Sequence, residues 1–543
     1  MTSASEAGAP PTSVPVLIVG GGPVGLGLAI ELGLRGVRCL LVEQGDGTIE
    51  HPRANAENSR TMELCRRWGV AELVRAEGTP ADFSHTVLYV TAMAGWELAR
   101  IDRPTHGGGG ALGTSPERPQ RCNQIWFDRI LAERLADLPS VTLRFGCRFE
   151  TFAEDDDGIV ATVTDRATGT SHRVRAQYLV ACCGGRSAIP RLVGAGTDSA
   201  PALGYPVNIF FRTPALWTFH DKGKTSLNFL VGPEGLWGNL TAIDGRELWR
   251  LTLQGTETYI DPKDVDVDAM LNRAMGRGFP REVIRVVGWT RRDFVAPRWR
   301  FGRVLIAGDC AHQNSPAGGF GMNTGMGDID NLGWKLAAVL EGWGGPGLLD
   351  SYEIERRPVA SRNVSAATAN FRAQTVTGVE QICDDTPAGA ALRERVGARL
   401  AEEHCKQFIS DGIALGYRYD PSPVIVADGS LPPPDSIQRY TPSTHPGCRA
   451  PHGWIEGNFS TLDLFGDGFV LLRLGRDAPD GGGLADAARQ RGVPLRIESI
   501  DDAKIVGIYE CRLVLVRPDG HIAWRGDDAP ADPLAVIDRV RGA

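Results

Sequence analysis

The sequence predicts an α/β fold made of three parts, and three observations indicate it. Residues 14–43 follow the strand, glycine turn, helix and strand pattern of a βαβ unit. Residues 205–255 carry successive strand patterns, which indicates a second, sheet-rich part. The composition changes at 420–453, where Pro, Gly and His are frequent, and strand patterns recur beyond residue 455. At roughly 150 residues per domain, a chain of 543 residues has room for these parts.

Charge and cysteine content exclude several classes of protein. The formal net charge is −8, from 58 Lys and Arg against 66 Asp and Glu, which argues against a general nucleic-acid-binding protein. Eleven cysteines are scattered without a CxxC pair, which is typical of a reducing compartment. No apolar run approaches the ~18 residues of a membrane span. We therefore expect a cytoplasmic homo-oligomer with a small-molecule partner, no nucleic acid and no membrane.

The first motif with chemical meaning lies inside the βαβ unit. Gly20 permits a tight turn, Gly22 lets the backbone approach a pyrophosphate, and Gly25 lets the following helix pack closely on the strand. The helix N-terminus then directs free N–H groups at the phosphates. Glu43 ends the next strand, where a carboxylate holds a ribose hydroxyl. The dinucleotide-binding residues predicted here are Gly20, Gly22, Pro23, Val24, Gly25, Glu43 and Gln44.

A second motif follows the buried strand pattern at 304–307. Asp309 comes at the end of that strand, and a Gly-rich turn from Pro316 to Asn323 leads into a long helix. A carboxylate followed by a glycine turn and a helix N-terminus suits a contact with a polyol and an anion. The alternative is an ordinary βα loop.

Together these motifs resemble the single-component (class A) FAD-dependent aromatic hydroxylases of the p-hydroxybenzoate hydroxylase-like family. The phenol-type members, which carry a C-terminal thioredoxin-like domain, are the most similar. The stretches that carry the resemblance, in order, are VLIVGGGPVGLGLAIELGLRGVRCLLVE, HPRANAENSRTMELCRRWGV, GDCAHQNSPAGGFGMNTGMGDIDNLGWKL, SYEIERRPVA and CRLVLVRPDGHIAWR. They cover about residues 14 to 372 and 511 to 525.

The resemblance implies a Rossmann-type FAD-binding domain with an inserted sheet-rich substrate domain and a C-terminal thioredoxin-like α/β domain. The implied bounds are 14–84, 105–204 and 286–375 for the FAD-binding domain, 85–104 and 205–285 for the substrate domain, 376–424 for a helical connection, and 425–543 for a linker and a thioredoxin-like domain without CxxC.

The resemblance also implies an activity. The family hydroxylates phenolic rings with NAD(P)H and O₂ through a flavin C4a-hydroperoxide, and FAD carries out the redox chemistry. Asp309 would bond the ribityl chain, and Pro316 would lie near the flavin edge where oxygen adds. N–H groups near Met322 would face the isoalloxazine N1/O2 edge, where reduction places negative charge. The further FAD contacts implied are Arg53, Gln124, Asp309, Pro316, Gly319, Gly321, Met322 and Asn323.

His51 is the candidate base that would help ionise a phenol, and Pro316 is the other residue placed in the catalytic site. An unperturbed imidazole pKa near ~6.5 suits proton transfer at neutral pH. The competing interpretation is a loop histidine with a structural hydrogen bond. His312 is interpreted as a structural residue of the flavin loop, and His85 and Asp102 are weaker alternatives.

The substrate pocket is expected between the flavin and the sheet of 205–255. Its candidate residues, whose individual roles stay open, are Phe210, Asn228, Phe229, Trp237, Asn239 and Trp249. No dense basic cluster is visible in the sequence, which favours a neutral phenol or a related hydroxylated ring, including a polyketide or pyridinol.

One departure from the family pattern affects the cofactors. The Asp-Gly pair that follows the strand near 179–183 appears here as Gly184-Gly185. Because that pair is tied to FAD and NADPH in relatives, NADPH contacts at this point are in doubt. Two other functions stay open: a non-catalytic or weakly redox-active FAD-binding protein, and another FAD-dependent oxidoreductase. A plain NAD-dependent dehydrogenase would explain the first motif only.

Overall fold

The computed structural model describes residues 10–102, 113–185, 187–196 and 202–543. Its strands are β1 (Ser13–Val19), β2 (Cys39–Val42), β3 (Val87–Val90), β4 (Glu97–Ile101), β5 (Val141–Arg144), β6 (Cys147–Asp155), β7 (Gly158–Asp165), β8 (Ser171–Ala181), β9 (Ala202–Arg212), β10 (Leu227–Gly232), β11 (Gly235–Ala242), β12 (Leu248–Thr256), β13 (Glu282–Gly288), β14 (Arg291–Arg292), β15 (Phe294–Val295), β16 (Arg300–Phe301), β17 (Val304–Ile306), β18 (His312–Gln313), β19 (Trp454–Glu456), β20 (Phe459–Ser460), β21 (Phe469–Leu474), β22 (Leu495–Ile500), β23 (Leu513–Val516) and β24 (Ile522–Gly526). Its helices are α1 (Pro23–Leu34), α2 (Ser59–Arg67), α3 (Ala71–Glu77), α4 (Gln124–Leu135), α5 (Ile189–Leu192), α6 (Val267–Met275), α7 (Phe320–Leu340), α8 (Asp350–Ala373), α9 (Pro387–His404), α10 (Asp411–Ala414), α11 (Gly482–Gln490), α12 (Ala503–Tyr509) and α13 (Pro533–Val540).

The first sheet has the strand order β16-β17-β8-β1-β2-β5, with the β6–β7 hairpin attached to β8. Neighbours from β17 to β5 run parallel, and Val16 lies opposite Cys39 on one side and Tyr178 on the other. Both faces of β1 are covered, so its residues are almost all apolar and buried, as expected for a parallel central strand. Helix α1 begins at Pro23, directly after the glycine turn, because a proline suits the first helical position. The predicted α/β fold with a Rossmann-type unit is confirmed.

The second sheet has the order β13-β9-β12-β11-β10-β3-β4, with β14 attached to β9. It is antiparallel except where β10 meets β3. One face packs on an apolar cluster that includes Phe211, Trp249 and Leu251, with α6 supplying Leu271 and Met275. Side chains alternate between the two faces along each strand, so the residues between these core residues point to the opposite face of the sheet.

The third sheet has the order β22-β21-β23-β24 and is flanked by α11, α12 and α13. Asp519 and Gly520 form the turn between β23, which ends at Val516, and β24, which begins at Ile522. The stretch 420–453 is an ordered loop: its Arg449 is buried and forms an ion pair with Glu63 of α2. The bounds of the domains themselves stay a prediction. Within the described ranges, no helix is both long enough and apolar enough to cross a membrane.

Candidate active site

The glycine turn after β1 has the close contacts that the sequence motif predicts. Gly20 has φ +111°, and a Cβ added there would lie 2.5 Å from the carbonyl oxygen of Cys182. A Cβ on Gly25 would lie 1.9 Å from the carbonyl oxygen of Gly20. A Cβ on Gly22 would meet nothing within 4 Å, and no described side chain caps the N-terminus of α1. The turn thus leaves its backbone N–H groups open on the side where a pyrophosphate would approach.

Glu43 closes this turn from the next strand. Its Oε2 accepts a hydrogen bond from the Gly21 N–H at 2.8 Å, and its Oε1 accepts one from Gly45 at 2.7 Å. Each carboxylate oxygen keeps a second lone pair that suits a ribose hydroxyl. The neighbouring Gln44 is exposed, and its carbonyl oxygen accepts from the Arg166 guanidinium at 2.8 Å.

The second motif lies beside the first, and the Val24 side chain packs between them. A Cβ added to Gly308 or to Gly325 would lie 3.0 or 2.6 Å from the Val24 side chain, so the three backbones are in close contact. Asp309 is in a 3₁₀ turn after β17 and has an exposed side chain. Pro316 and Gly319 are also exposed at the entrance to α7. The two motifs therefore lie side by side, and the surface that Asp309, Pro316 and Gly319 share with the glycine turn is here called the cleft.

The N-terminus of α7 opens to that cleft. Its N-cap is Gly319, at φ +71°, and no described side chain caps the first turn. The backbone N–H groups of Gly321 and Met322 lie in that first turn, where intrahelical partners are lacking. The side chain of Asn323 points elsewhere: its amide donates to the carbonyl oxygens of Ala56 and Gly319 at 2.8 Å, and its oxygen accepts from the Asn58 N–H at 2.9 Å. Asn323 thus anchors the helix start rather than presenting its side chain to a ligand.

Gln124 contacts the 51–58 segment, to which Arg53 belongs: the Gln124 backbone N–H donates to the carbonyl oxygen of Ala54 at 3.0 Å. Gln124 is buried at the start of α4, and its amide donates to Asp128 at 2.9 Å. Burial raises the pKa of Asp128 to about 7, while the charge of Arg53 opposes that rise. Arg53 itself is exposed. Asp128 orients Gln124, and the sequence analysis missed it because a single carboxylate inside a helix carries no distinguishing pattern.

Taken together, these residues fit a flavin dinucleotide. Two helix N-termini without side-chain caps, those of α1 and α7, border the same cleft, which favours an anion at one and a flavin that gains negative charge at the other. The open face of Gly22 leaves room for a pyrophosphate, and Asp309 and Glu43 offer oxygens for hydroxyl groups.

His51 lies against the second sheet. Its Nε2 is 3.0 Å from the Asn208 amide nitrogen, and its ring meets Phe210 edge-on with centroids 6.3 Å apart. Its Nδ1 is buried without a hydrogen-bond partner among the described residues. Burial, together with the charges of Arg250, Arg53 and Arg285, lowers the pKa of His51 to about 4. The imidazole is therefore neutral near pH 7 and is a weak proton acceptor.

Arg250 is the functional candidate that sequence reasoning missed. Its guanidinium donates to the carbonyl oxygens of Pro52 and Arg53 at 2.8 and 3.1 Å. Burial lowers its pKa to about 10, and no carboxylate of the described chain lies within ion-pair distance of it. Its Nε is buried without a partner in the same part of the chain. The sequence shows no dense basic cluster, and the charges of Arg250, Arg53 and Arg285 that act on His51 come from three separate segments, so a local pattern would not identify them.

Strand register explains how this surface forms. Arg250 lies opposite Phe210 and Thr241, and Thr252 lies opposite Asn208 and Asn239. Partners in register share a face, so these residues form one surface, here called the polar floor. Alternation in the segment LWRLTL, with Arg250 and Thr252 on one face, is the signal that would have identified it. The residues of the polar floor are Asn208, Phe210, Asn239, Thr241, Arg250 and Thr252.

The other pocket candidates lie on both faces of the sheet. Trp237 and Trp249 belong to the apolar cluster on the opposite face. Phe229 lies opposite Asn239, so it shares the face of the polar floor, and it stacks on Tyr89 with ring centroids 4.8 Å apart. Asn228 is buried, and its amide donates to the Leu240 carbonyl oxygen at 3.2 Å.

The alternative candidate bases, His312, His85 and Asp102, contact other residues than His51 does. His312 is fully buried, with its Nε2 2.8 Å from Asp328 Oδ2. Asp328 also accepts from Arg356 and from the backbone N–H of Gly308, so this cluster holds the turn that carries Asp309. His85 is buried near the start of β3, and Asp102 accepts from the Thr86 hydroxyl at 3.1 Å.

The Gly184-Gly185 pair follows β8 at the edge of the glycine turn. Gly184 has φ +81°, a conformation that favours glycine. A Cβ on Gly185 would lie 2.5 Å from the amide of Gln313. Backbone geometry and space therefore suit two glycines here.

Comparison with known proteins extends these observations. Residues 13–367 match the FAD binding domain family, and residues 443–543 match the aromatic-ring hydroxylase C-terminal family. The chain is 34% identical to a putative polyketide hydroxylase of Streptomyces halstedii, covering 97% of this chain and 96% of that protein. It is 30% identical to phenol 2-monooxygenase of a Pseudomonas species, with 97% and 92% covered. Among solved structures it is similar to the rebeccamycin biosynthetic enzyme RebC with reduced flavin, at TM-score 0.90 and 39% identity, covering 98% of this chain and all of that one. Another structure of RebC, soaked with chromopyrrolic acid, contains bound 7-carboxy-K252c.

Proposed function

The chain belongs to the single-component FAD-dependent aromatic hydroxylases, and from this premise we propose that its substrate is a polycyclic phenol bound on the polar floor. Enzymes of this kind are FAD-dependent monooxygenases, and NAD(P)H and O₂ are the co-substrates we assign. When bound, FAD accepts electrons from NAD(P)H and delivers an activated oxygen atom to the ring.

One observation carries this assignment: the segment 51–58 contacts both halves of the site. At one end, His51 meets Asn208, and the carbonyl of Pro52 accepts from Arg250. At the other end, Ala56 and Asn58 bond to the side chain of Asn323 at the start of α7. A ring on the polar floor would therefore lie close to a flavin at the N-terminus of α7.

Arg250 supports a substrate that carries negative charge during the reaction. A half-buried guanidinium without a carboxylate partner stabilises an anion more strongly than an exposed one, because solvent screens its charge less. A phenolate ring is more electron-rich than a phenol and reacts faster with an electrophilic oxygen. We therefore assign Arg250, helped by Arg53, the task of favouring the phenolate form.

His51 has a different task in this proposal. Its low pKa makes it a weak base, but its Nδ1 is a ring nitrogen left for a hydrogen bond to the substrate hydroxyl. Asn208 fixes the ring plane through Nε2. We assign His51 the orientation of that hydroxyl, and Pro316 a place at the edge of the flavin, where it limits access of water.

The size of the ring system is argued from the relatives. Relatives that align with most of this chain include polyketide hydroxylases as well as phenol 2-monooxygenase. These relatives are named for polyketides and for phenol, so the test must contain polycyclic as well as single-ring compounds.

The experiment follows NADPH and NADH oxidation by the purified yellow protein with a panel of single-ring phenols and hydroxylated polycyclic aromatics. We expect a polycyclic phenol to stimulate oxidation and to leave a product heavier by one oxygen atom, which ¹⁸O₂ labels. Stimulation by single-ring phenols alone would contradict the polycyclic assignment. Flavin bands without any stimulated turnover would favour a non-catalytic FAD-binding protein.

A further inference from the structure

Two cysteines from separate segments meet beside the flavin loops. The Sγ atoms of Cys183 and Cys310 are 3.7 Å apart. The hydroxyl oxygen of Ser187 is 2.7 Å from Cys183 Sγ, and Cys310 Sγ is 3.5 Å from the carbonyl oxygen of Gly184. Cys183 is half-buried, whereas Cys310 is buried. Neither residue has a task in the reaction proposed above.

We propose that Cys183 and Cys310 are an oxidative modification site, which hydrogen peroxide converts into a disulfide that reversibly slows the enzyme.

The two thiols differ in pKa, as such a reaction requires. The hydrogen bond from the Cys310 thiol lowers the pKa of Cys183 against the effect of burial, and the hydroxyl of Ser187 adds to this lowering. The same thiol contact and burial raise the pKa of Cys310 well above its ordinary value. Cys183 is therefore the thiol that ionises and attacks, and Cys310 is the neutral thiol that resolves the product.

The reaction balances with one peroxide. The Cys183 thiolate attacks one oxygen of H₂O₂, the O–O bond breaks, and a sulfenic acid forms while hydroxide leaves. The Cys310 sulfur then displaces the sulfenic hydroxyl, the S–S bond forms, and the thiol protons of both cysteines end in two molecules of water. Two thiols are oxidised by two electrons, and the peroxide is reduced by two.

The position of the pair explains why a disulfide would matter for function. A Cβ added to Gly20, the first glycine of the pyrophosphate turn, would lie 2.5 Å from the Cα of Cys183, and Cys310 directly follows Asp309. A disulfide requires the sulfurs to approach from 3.7 Å to about 2.05 Å. Because both loops border the cleft, this movement would disturb the surface that fits FAD.

The source of the oxidant rests on the proposed function, but the thiol chemistry does not. A flavin monooxygenase releases hydrogen peroxide when it consumes O₂ without hydroxylating a ring. Added peroxide therefore tests the thiol pair directly, and peroxide from turnover without product tests the link to catalysis. A protein that forms the disulfide with added peroxide yet hydroxylates no phenol would contradict the proposed function alone.

The test treats the reduced FAD-loaded enzyme with hydrogen peroxide and combines thiol counting with a non-reducing peptide map. We expect the loss of two thiols per chain, a cross-linked peptide pair containing Cys183 and Cys310, and loss of most activity that dithiothreitol restores. Cys310→Ser should give no cross-link and a sulfenic acid on Cys183 that dimedone captures. The matched control is Cys383→Ser, which removes an exposed cysteine and should behave as the unmodified enzyme.

Cys310→Ala provides a second variant in case the serine disturbs the buried site. Absence of the cross-linked pair in the unmodified enzyme would overturn the proposal. A disulfide that changes neither activity nor the rate of FAD release would overturn its regulatory role.

Discussion

Single residues determine the chemistry of this site through their surroundings more than through their type. His51 is an ordinary histidine in the sequence, yet burial and three guanidinium groups lower its pKa to about 4. Arg250 is one of many arginines, yet it is half-buried and has no carboxylate partner in the described chain. Because of this contrast, we assign the stabilisation of a phenolate to the guanidinium of Arg250 and not to the imidazole of His51.

Arg250→Gln should lower kcat/KM by roughly 10²-fold, because one preorganised charge at a developing anion contributes about that much. Without the cation, the phenol ionises at higher pH, so the pH–rate profile should shift to the alkaline side. Arg250→Lys should recover part of the loss. Steady-state kinetics across pH would measure this, with Arg246→Gln, on an exposed arginine of the same hairpin, as the control. An unshifted profile in Arg250→Gln would assign ionisation to another group.

The glycine turn offers a second comparison between two residues. Gly22→Val should leave the melting temperature of the FAD-free protein almost unchanged, since a Cβ at Gly22 meets nothing within 4 Å. It should nevertheless weaken FAD binding at least about tenfold, because the side chain would occupy the approach of the pyrophosphate. Titration of the apoprotein with FAD measures the affinity, and calorimetry measures the melting temperature.

Gly25→Ala should behave in the opposite way. Its Cβ would lie 1.9 Å from the carbonyl oxygen of Gly20, so the turn must move even without FAD. We expect a lower melting temperature as well as weaker binding. Equal melting temperatures for the two variants would contradict this account of the turn.

At the scale of elements, the start of α7 is placed by tertiary hydrogen bonds. Helix α7 has no described side-chain cap of its own, and Gly319 at φ +71° only permits the turn. The side chain of Asn323 fixes the helix start by bonding to three residues of the 56–61 segment. The polar floor depends in the same way on the register between β9, β11 and β12.

Asn323→Ala should therefore loosen α7 from the 56–61 segment. Because each lost hydrogen bond contributes about 0.5–1.5 kcal/mol net, loss of the three hydrogen bonds to this segment should lower the free energy of unfolding by about 1.5–4.5 kcal/mol and weaken FAD binding. Chemical denaturation and FAD titration measure the two effects. Asn363→Ala, which removes one hydrogen bond between α8 and Thr324, is the comparison, and it should affect FAD binding less.

At the scale of the whole molecule, buried charges join the C-terminal sheet to the helices behind the first sheet. Arg517, before the turn between β23 and β24, donates to Glu355 of α8 at 2.6 and 3.0 Å. Lys335 of α7 donates to the same carboxylate at 2.6 Å, and all three side chains are fully buried. The C-terminal residues are thus held in one polar network with α7, the helix whose first turn borders the cleft.

This network predicts a pH dependence of stability. Burial alone would raise the pKa of Glu355, but Arg517 and Lys335 outweigh it and lower the value to about 2. The folded pKa is below the unfolded one, so the stabilisation is present above about pH 4.5 and is lost as the pH falls toward 2. We expect the free energy of unfolding to decline through this window by about 3 kcal/mol from this group.

Glu355→Gln tests the network directly. It leaves Lys335 without its carboxylate and should cost about 3–5 kcal/mol at neutral pH, with a shallower acid dependence. Glu394→Gln changes an exposed carboxylate of α9 and should leave both quantities nearly unchanged. An acid dependence as steep in Glu355→Gln as in the unmodified protein would contradict the assignment.

The sequence by itself determined the parts whose physics is local along the chain. Gly20, Gly22 and Gly25 identify the dinucleotide turn because the three glycines lie within six residues of one another, directly after a strand pattern and before a helix pattern. Asp309 and the following glycines identify the flavin loop in the same way. The α/β class follows from apolar periodicity, and the membership of the family follows from the order of these motifs.

The tertiary structure decided what depends on residues far apart in the chain. The register of β9, β11 and β12 selects which face carries Asn208 and Arg250, and a shift of one residue would bury that face instead. The contact of His51 with Asn208 spans more than 150 positions, and Cys183 meets Cys310 only because β8 and β17 are neighbours. The burial and the nearby charges that set the pKa of His51 arise from the tertiary structure, because a local sequence pattern specifies neither burial nor the distance between residues far apart in the chain.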